Sequence, residues 1–267
     1  MSTVLEPQTP YRPPEHDKWR YGTRSIKHVG RNGRVSYELV PLKKEDLLFP
    51  QEGDRLVLTD DHSTDYQYLS SVLKQQAATV LGRRVFGDHR IDFEVPGIEP
   101  LGPDLIVLDG VGEWDGSRGT FPVVTMGSRP VLVVEITSPD TRPNDLKIKP
   151  DLYNRCGVPL YIVVDRQAGK SRDEVRVIGF YSTTKAYAVL PLDKRGQVWL
   201  EPLQMWLGIA NRRATFYDKR GRRIRSAEER VVTAQKKAAT EAKARRSAEA
   251  KLREMEAELH RLRSLTK

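Results

Sequence analysis

Residues 131–153 read VLVVEITSPDTRPNDLKIKPDLY. The first seven form a nearly continuous apolar run of strand-forming residues, interrupted by one carboxylate, Glu135. The proline-rich turn that follows leads into a predicted helix over roughly 145–156, which Gly157 closes. A second apolar run, LYIVVD, follows at 160–165. Strands buried on both faces read this way, and their alternation with helices predicts an α/β sheet sandwiched between helices.

Other segments extend this pattern. Apolar residues recur at helical spacing over 62–82, with Ser63 as the candidate N-cap and Gly82 as the C-terminal stop. Short apolar or alternating runs predict the remaining strands, which are YELV at 37–40, RLVLT at 55–59, IDFEV at 91–95, DLIVL at 104–108 and four short antiparallel strands between 174 and 218.

Composition bounds the class of protein. The 267 residues are 38% hydrophobic, enough for a sizeable core, and a single cysteine, Cys156, excludes an internal disulfide. A lone cysteine among apolar neighbours is usually a small hydrophobe, so a catalytic thiol is disfavoured. The chain shows neither a signal pattern nor an apolar run of membrane length, and we expect a cytoplasmic protein without a membrane partner.

The net charge of +9 is unevenly distributed. Residues 222–267 hold 14 Lys and Arg against 7 Asp and Glu, and residues 1–36 hold 7 against 3, which leaves residues 37–221 at −2. The body is therefore not a basic domain that coats DNA, and an acidic partner must be recognised by a local site.

The two ends differ from the body. Residues 1–36 contain several prolines and glycines and little periodicity, which predicts a flexible N-terminal arm. From Ser226 there is neither Gly nor Pro, and heptad spacing predicts a basic coiled-coil helix over 222–267. Eight of its ten a and d positions are apolar; the ten are Val231, Ala234, Ala238, Glu241, Arg245, Ala248, Leu252, Met255, Leu259 and Leu262. The basic surplus fits either a solvated face or a nucleic-acid contact.

Two carboxylates occupy positions where burial of their charge is unfavourable. Glu135 interrupts a buried strand, and Asp104 opens the strand DLIVL directly after Pro103. An ionised carboxylate in such a place needs a basic partner or a metal ion, although an Asp after Pro also serves turns. If the two strands are neighbours, both carboxylates could converge at one sheet edge, where oxygen ligands suit Mg²⁺.

Four segments in order resemble a known family. PDLIVL (103–108), VVEITSPDT (133–141), DLKIKPDLY (145–153) and GVPLYIVVD (157–165) are similar to the successive motifs of the Uma-two family of restriction-endonuclease-like proteins, within the PD-(D/E)XK nuclease superfamily. PLKKEDLLFP (41–50) and DHSTDYQYLSSVLK (61–74) resemble its N-terminal segment. The resemblance covers about residues 37–210, and the ordered combination is far more specific than any one motif.

The resemblance implies a restriction-endonuclease-like mixed sheet flanked by helices, over 37–221, and metal-dependent hydrolysis of DNA phosphodiesters. Carried residue by residue, Asp104 and Glu135 would be catalytic and would hold Mg²⁺ or Mn²⁺. The superfamily's simplest pattern has a lysine two residues after the glutamate, where this chain has Thr137. The closer family pattern, D-L-x-x-K-x-x-x-Y, places the catalytic lysine at Lys149.

Some alternatives stay open. Pro150 is comfortable only in a first helical turn, so a late helix start would favour Lys147 over Lys149. His62 matches a histidine that the family often shows and could contact substrate or metal, although helix starts favour polar residues anyway. For Asp88, Asp92 and Asp165 turn chemistry is the simpler explanation, and Tyr153 fits the core better than catalysis.

Two function classes remain. One is a metal-dependent endonuclease whose partners are DNA and a second copy, joined through the nuclease domain or the coiled coil. The other is a catalytically silent scaffold or nucleic-acid-binding protein that acts through its coiled coil.

Overall fold

The computed structural model describes residues 17–116, 119–166 and 174–265. Its three α-helices are α1 (Asp60–Ala77), α2 (Lys149–Arg155) and α3 (Ala227–Leu265). Its strands are β1 (Gly22–Val29), β2 (Val35–Pro41), β3 (Asp54–Leu56), β4 (Arg84–Gly87), β5 (Arg90–Asp92), β6 (Leu105–Asp109), β7 (Thr120–Pro122), β8 (Arg129–Ile136), β9 (Leu160–Asp165), β10 (Arg176–Ser182), β11 (Tyr187–Val189), β12 (Val198–Leu200), β13 (Met205–Ala210) and β14 (Arg213–Tyr217).

A six-stranded mixed sheet forms the centre, in the order β11-β10-β9-β8-β6-β4. Of its pairs, β8 and β9 run parallel and the others antiparallel. Alternate residues of β8 and β9 enter opposite cores. One core packs α1 and the small sheet β12-β13-β14 against the central sheet, and the other packs α2 and the parallel pair β5 and β7. The predicted mixed α/β sheet with flanking helices and a long C-terminal helix is confirmed.

The stretch 131–153 folds as strand, turn and helix, with one irregularity. A wide π-type turn spans Asn144–Ile148, and the N–H of Lys149 donates to the carbonyl of Asn144 before α2 begins. Pro150 explains the change, because it lacks the N–H that an uninterrupted helix would use there. The proline therefore lies in the first turn of α2, where it is tolerated.

Within the predicted N-terminal arm 1–36, residues Gly22–Val29 form strand β1, which the sequence did not predict, and residues 1–16 lie outside the described residues. Strand β1 pairs with β2 on one side and with β3 on the other. Arg24 donates two hydrogen bonds to Asp54, at 2.7 and 2.9 Å, and one to Asp46 at 3.1 Å. Cross-strand pairing and this half-buried ion pair hold a segment that has little apolar periodicity.

Smaller differences follow from local chemistry. Helix α1 starts before Ser63, because the Thr59 hydroxyl accepts the N–H of His62, and it ends at Ala77 rather than Gly82. Strands β4, β7 and β13 were not predicted, because the first two are three or four residues long and β13 has no polar alternation.

The chain divides into two compact units, residues 1–224 and 225–267. The second unit is the continuous helix α3, on which predicted seam residues such as Val231, Leu252 and Met255 are exposed. Pairing of this helix with a second one stays a prediction. None of the helices in the described ranges is long and apolar enough to cross a membrane.

We predict that Arg24→Met loosens the N-terminal hairpin, because it leaves the Asp54 carboxylate without its cation. Loss of these charged hydrogen bonds costs about 2 kcal/mol of local stability. Chymotrypsin should then cleave after Tyr37 at least about tenfold faster than in the wild type. Lys27→Met, on an exposed position of the same hairpin, is the control. Equal cleavage rates in all three proteins would show that Arg24 does not hold the hairpin.

Candidate active site

Strand register brings two of the predicted carboxylates together. Leu105 of β6 lies opposite Val134 of β8, so the next pair along this antiparallel ladder is Asp104 and Glu135. Asp104 Oδ2 accepts the N–H of Ile136 at 2.7 Å, which fixes the carboxylate against β8. Both side chains lie on the sheet face that packs against α2.

A third carboxylate continues this row. Gly87 of β4 lies opposite Leu105, and the N–H of the next residue, Asp88, donates to the carbonyl of Asp104 at 3.3 Å. Burial and the charge of Asp104 raise the pKa of Asp88, against the hydrogen bond from Tyr66. Asp88 is one of the few non-glycine residues with positive φ, at 52°. The sequence indicated turn chemistry for Asp88; it makes the turn and also flanks the site, which only the strand register reveals.

Glu135 is almost fully buried, at 2% exposure. Its Oε1 accepts hydrogen bonds from Lys149 Nζ at 2.9 Å and from the Tyr153 hydroxyl at 2.8 Å. Burial raises the pKa of Glu135 to about 8, opposed by the Lys149 ammonium and reinforced by the charge of Asp104. Tyr153 is a core residue, as predicted, and it also orients Glu135.

Of the two rival lysines, Lys149 reaches this site and Lys147 is exposed to solvent. Lys149 Nζ lies 2.9 Å from Glu135 Oε1 and 2.9 Å from Asp145 Oδ1, and the side chain is about 5% exposed. Burial disfavours the charged lysine, but the carboxylates of Asp145 and Glu135 outweigh it and raise the pKa of Lys149. The sequence motif contained Asp145 without a role for it; the four-residue spacing to Lys149 was the available signal.

His62 also belongs to the site. Its Nε2 lies 3.2 Å from Asp104 Oδ2, and its Nδ1 is buried without a hydrogen-bond partner among the described residues. Burial opposes protonation of His62, yet the hydrogen bond and charge of Asp104 raise its pKa. In return His62 and Lys149 outweigh burial and lower the pKa of Asp104.

Two cavities meet at Asp104. A small one of about 60 Å³ is lined by His62, Asp104, Glu135 and Lys149, with the Arg20–Asp140 ion pair at its wall. A larger cleft of about 540 Å³ continues from Asp104 between the segment 50–58, which contains β3, and residues 88–90. The row of carboxylates is therefore accessible from a cleft of ligand size.

The other candidates have structural roles. The Asp92 carboxylate accepts the N–H of Glu94 within its own turn. Asp165 is fully buried and accepts a bidentate pair from Arg142, at 2.7 and 3.0 Å, and hydrogen bonds from Arg176. Thr137, at the position of the simplest superfamily lysine, accepts the N–H of Arg166. Neither Asp92 nor Asp165 lines the two cavities.

The donor set fits a hard divalent cation in part. Hydrogen bonds within the described ranges reach one oxygen of each carboxylate, Glu135 Oε1 and Asp104 Oδ2, and leave the other oxygen of each. Mg²⁺ commonly takes one or two protein carboxylates and completes its shell with water and phosphate. No cluster of three or more His, Cys, Asp or Glu side chains spaced for a metal ion occurs in the described residues. Substrate or water would have to supply the remaining ligands.

Comparison with known proteins gives a family. Residues 55–210 match the family model described as "Uma2: Putative restriction endonuclease". A crystal structure of a putative nuclease of the DUF820 group from Anabaena variabilis ATCC 29413 is similar at 17% identity, over 64% of this chain and 79% of that one, with a TM-score of 0.37. No curated protein matches the sequence.

We predict that Cys156 is inert in the folded protein. Burial raises the pKa of its thiol to about 12, so at pH 8 the reactive thiolate is scarce. A thiol reagent such as DTNB should modify the native protein at least about 100-fold more slowly than the urea-unfolded chain. Fast modification of the native protein at pH 8 would contradict this and would reopen thiol chemistry.

Proposed function

The chain belongs to the family described as putative restriction endonucleases, and we propose that it is a metal-dependent endonuclease that hydrolyses phosphodiester bonds of DNA. One observation carries the proposal. Adjacent strand ends bring Asp104 and Glu135 to one sheet edge, where Lys149 Nζ contacts Glu135 and a cleft opens to solvent.

Each side chain has a definite role in this proposal. The free oxygens of Asp104 and Glu135 would hold Mg²⁺ or Mn²⁺. Such a cation supplies Lewis-acid polarisation of the scissile phosphate and a bound water of lowered pKa. Lys149, kept charged by its carboxylate neighbours, orients the attacking water and stabilises charge that develops on the phosphate. His62 and Tyr153 hold the two carboxylates through one oxygen each.

Two properties of the chain support a nucleic-acid partner. The flanking regions 1–36 and 222–267 carry the positive charge that attracts a polyanion, whereas residues 37–221 have a net charge of −2. The exposed apolar positions along α3 fit a second copy of the same helix, and two protomers suit cleavage of two strands.

The direct test is cleavage of plasmid DNA with Mg²⁺ or Mn²⁺. We expect Asp104→Asn and Glu135→Gln to lose at least about 100-fold in rate, because each removes a charge that holds the cation. Asp92→Asn is the matched control, since that carboxylate caps its own turn away from both cavities, and it should cleave as the wild type does. Metal-dependent cleavage that survives in both site variants would refute the proposal.

A second candidate function is a silent nuclease-like scaffold that binds nucleic acid through α3. It is favoured by the state of Lys149, whose ammonium is already held by two carboxylates, and by Thr137 at the usual lysine position.

Shortening the chain to residues 1–224 discriminates between the two, because this part is a compact unit. For the nuclease we expect the shortened protein to keep metal-dependent cleavage of a saturating oligonucleotide, with affinity weakened by the lost positive charge. Complete loss of binding together with no cleavage by the full-length protein would support the scaffold. Thermal unfolding of both proteins verifies that the shortened chain is folded.

A further inference from the structure

The larger of the two cavities contains an arginine that the catalytic arrangement does not use. This cleft, the Arg90 cleft, lies between the segment 50–58 and residues 88–90, and Asp104 is part of its wall. Arg90 is half-buried at the start of β5. Its Nη1 donates to Thr120 Oγ1 at 3.3 Å, and its Nε is buried without a hydrogen-bond partner in the described structure.

Arg90 differs from the other partly buried arginines of the first unit. Several of these donate two hydrogen bonds to one carboxylate; the pairs are Arg24 with Asp54, Arg83 with Asp109, and Arg142 with Asp165. Within the described ranges, no carboxylate forms a salt bridge with Arg90. A half-buried guanidinium without a counter-ion costs free energy, which an incoming anion would recover.

The position of Arg90 determines which anion fits. Its cleft ends at Asp104, where the scissile phosphate would sit, so a phosphate in the cleft would be a neighbour of the scissile one on the same strand. A guanidinium presents a planar set of N–H donors that can bind two oxygens of one phosphate. A carboxylate site that holds a metal ion has no such donors. Arg55 lines the same cleft and adds further donors.

The acidic side chains that line the Arg90 cleft would repel a phosphate to different extents. The Asp54 carboxylate is occupied by Arg24. Asp88 and Asp104 lie in the carboxylate row, where a divalent cation would offset their charge. Glu52 is exposed and, like Asp88, has no cation within ion-pair distance among the described residues; because Glu52 lies outside the row, its charge works against an anion.

We infer that the Arg90 cleft binds the phosphodiester backbone of the nucleic-acid substrate next to the scissile bond, with Arg90 as the phosphate anchor. This inference rests on the proposed nuclease function for the identity of the substrate. It adds a binding residue outside the row of carboxylates and the lysine.

The test measures binding separately from cleavage. Fluorescence anisotropy of a labelled duplex oligonucleotide with hydrolysis-resistant phosphorothioate linkages is recorded in Mg²⁺, so that the row of carboxylates keeps its cation while cleavage is suppressed. We expect Arg90→Met and Arg90→Gln to raise Kd about tenfold and to lower the slope of log Kd against log salt by about one. Glu52→Gln should lower Kd about threefold, because it removes a like charge from the same cleft.

Lys185→Met is the control, because it removes one positive charge from the exposed turn before β11, outside both cavities. Its Kd should stay within about twofold of the wild type, and its salt slope should not change. Arg90→Met and Arg90→Gln binding as tightly as Lys185→Met, with wild-type thermal unfolding, would overturn the inference. A wild type that never cleaves, yet binds through Arg90, would overturn the nuclease proposal and keep the phosphate anchor.

Discussion

The structure of the site depends on one buried ammonium among three carboxylates. Lys149 contacts Glu135 and Asp145 directly, and Asp104 lies in the row beside Glu135. Lys149 alone cannot neutralise three acids: His62 contacts the partly buried Asp104, and the pKa values of the buried Glu135 and Asp145 are both raised because burial disfavours their charge. Such an excess of buried negative charge is unfavourable for a fold. A divalent cation bound here would relieve the repulsion between the carboxylates, so its binding is favourable.

The geometry that delivers this lysine comes from a proline. Without Pro150 an ordinary helix could continue from Asn144, and the wide turn would be unnecessary. A single extra residue in one turn rotates everything after it by about 100°. The turn therefore decides which side chain of KIK faces the sheet, and in this structure Lys149 is buried while Lys147 is exposed. The segment DLKIKPDLY thus positions the ammonium group of Lys149.

Much of this could be predicted from sequence, for a physical reason. Strands buried on both faces form continuous apolar runs, and amphipathic helices show apolar residues at helical spacing, so β6, β8, β9 and α1 can be located without knowledge of their pairing. Glu135 and Asp104 can be identified as site candidates because burial of an ionised carboxylate at either position costs free energy. Tertiary pairing is invisible to that reasoning. The hairpin β1–β2 is held by an ion pair and by cross-strand hydrogen bonds, and Asp88 joins the site through strand register alone.

Under the proposed function, the distribution of charge in the first unit lets a local site act on a polyanion although residues 37–221 are close to neutral. Most of its partly buried arginines form salt bridges with aspartates. These pairs stabilise strand ends and leave little positive electrostatic potential at a distance. Arg90 is left without such a partner beside the row of carboxylates. In the proposed function, the basic flanking regions supply the long-range attraction, and Arg90 together with the row of carboxylates determines which phosphate is held. In this proposal the exposed charges of the flanking regions contribute to affinity alone, whereas the uncompensated charge of Arg90 contributes to affinity and also determines which phosphate is held.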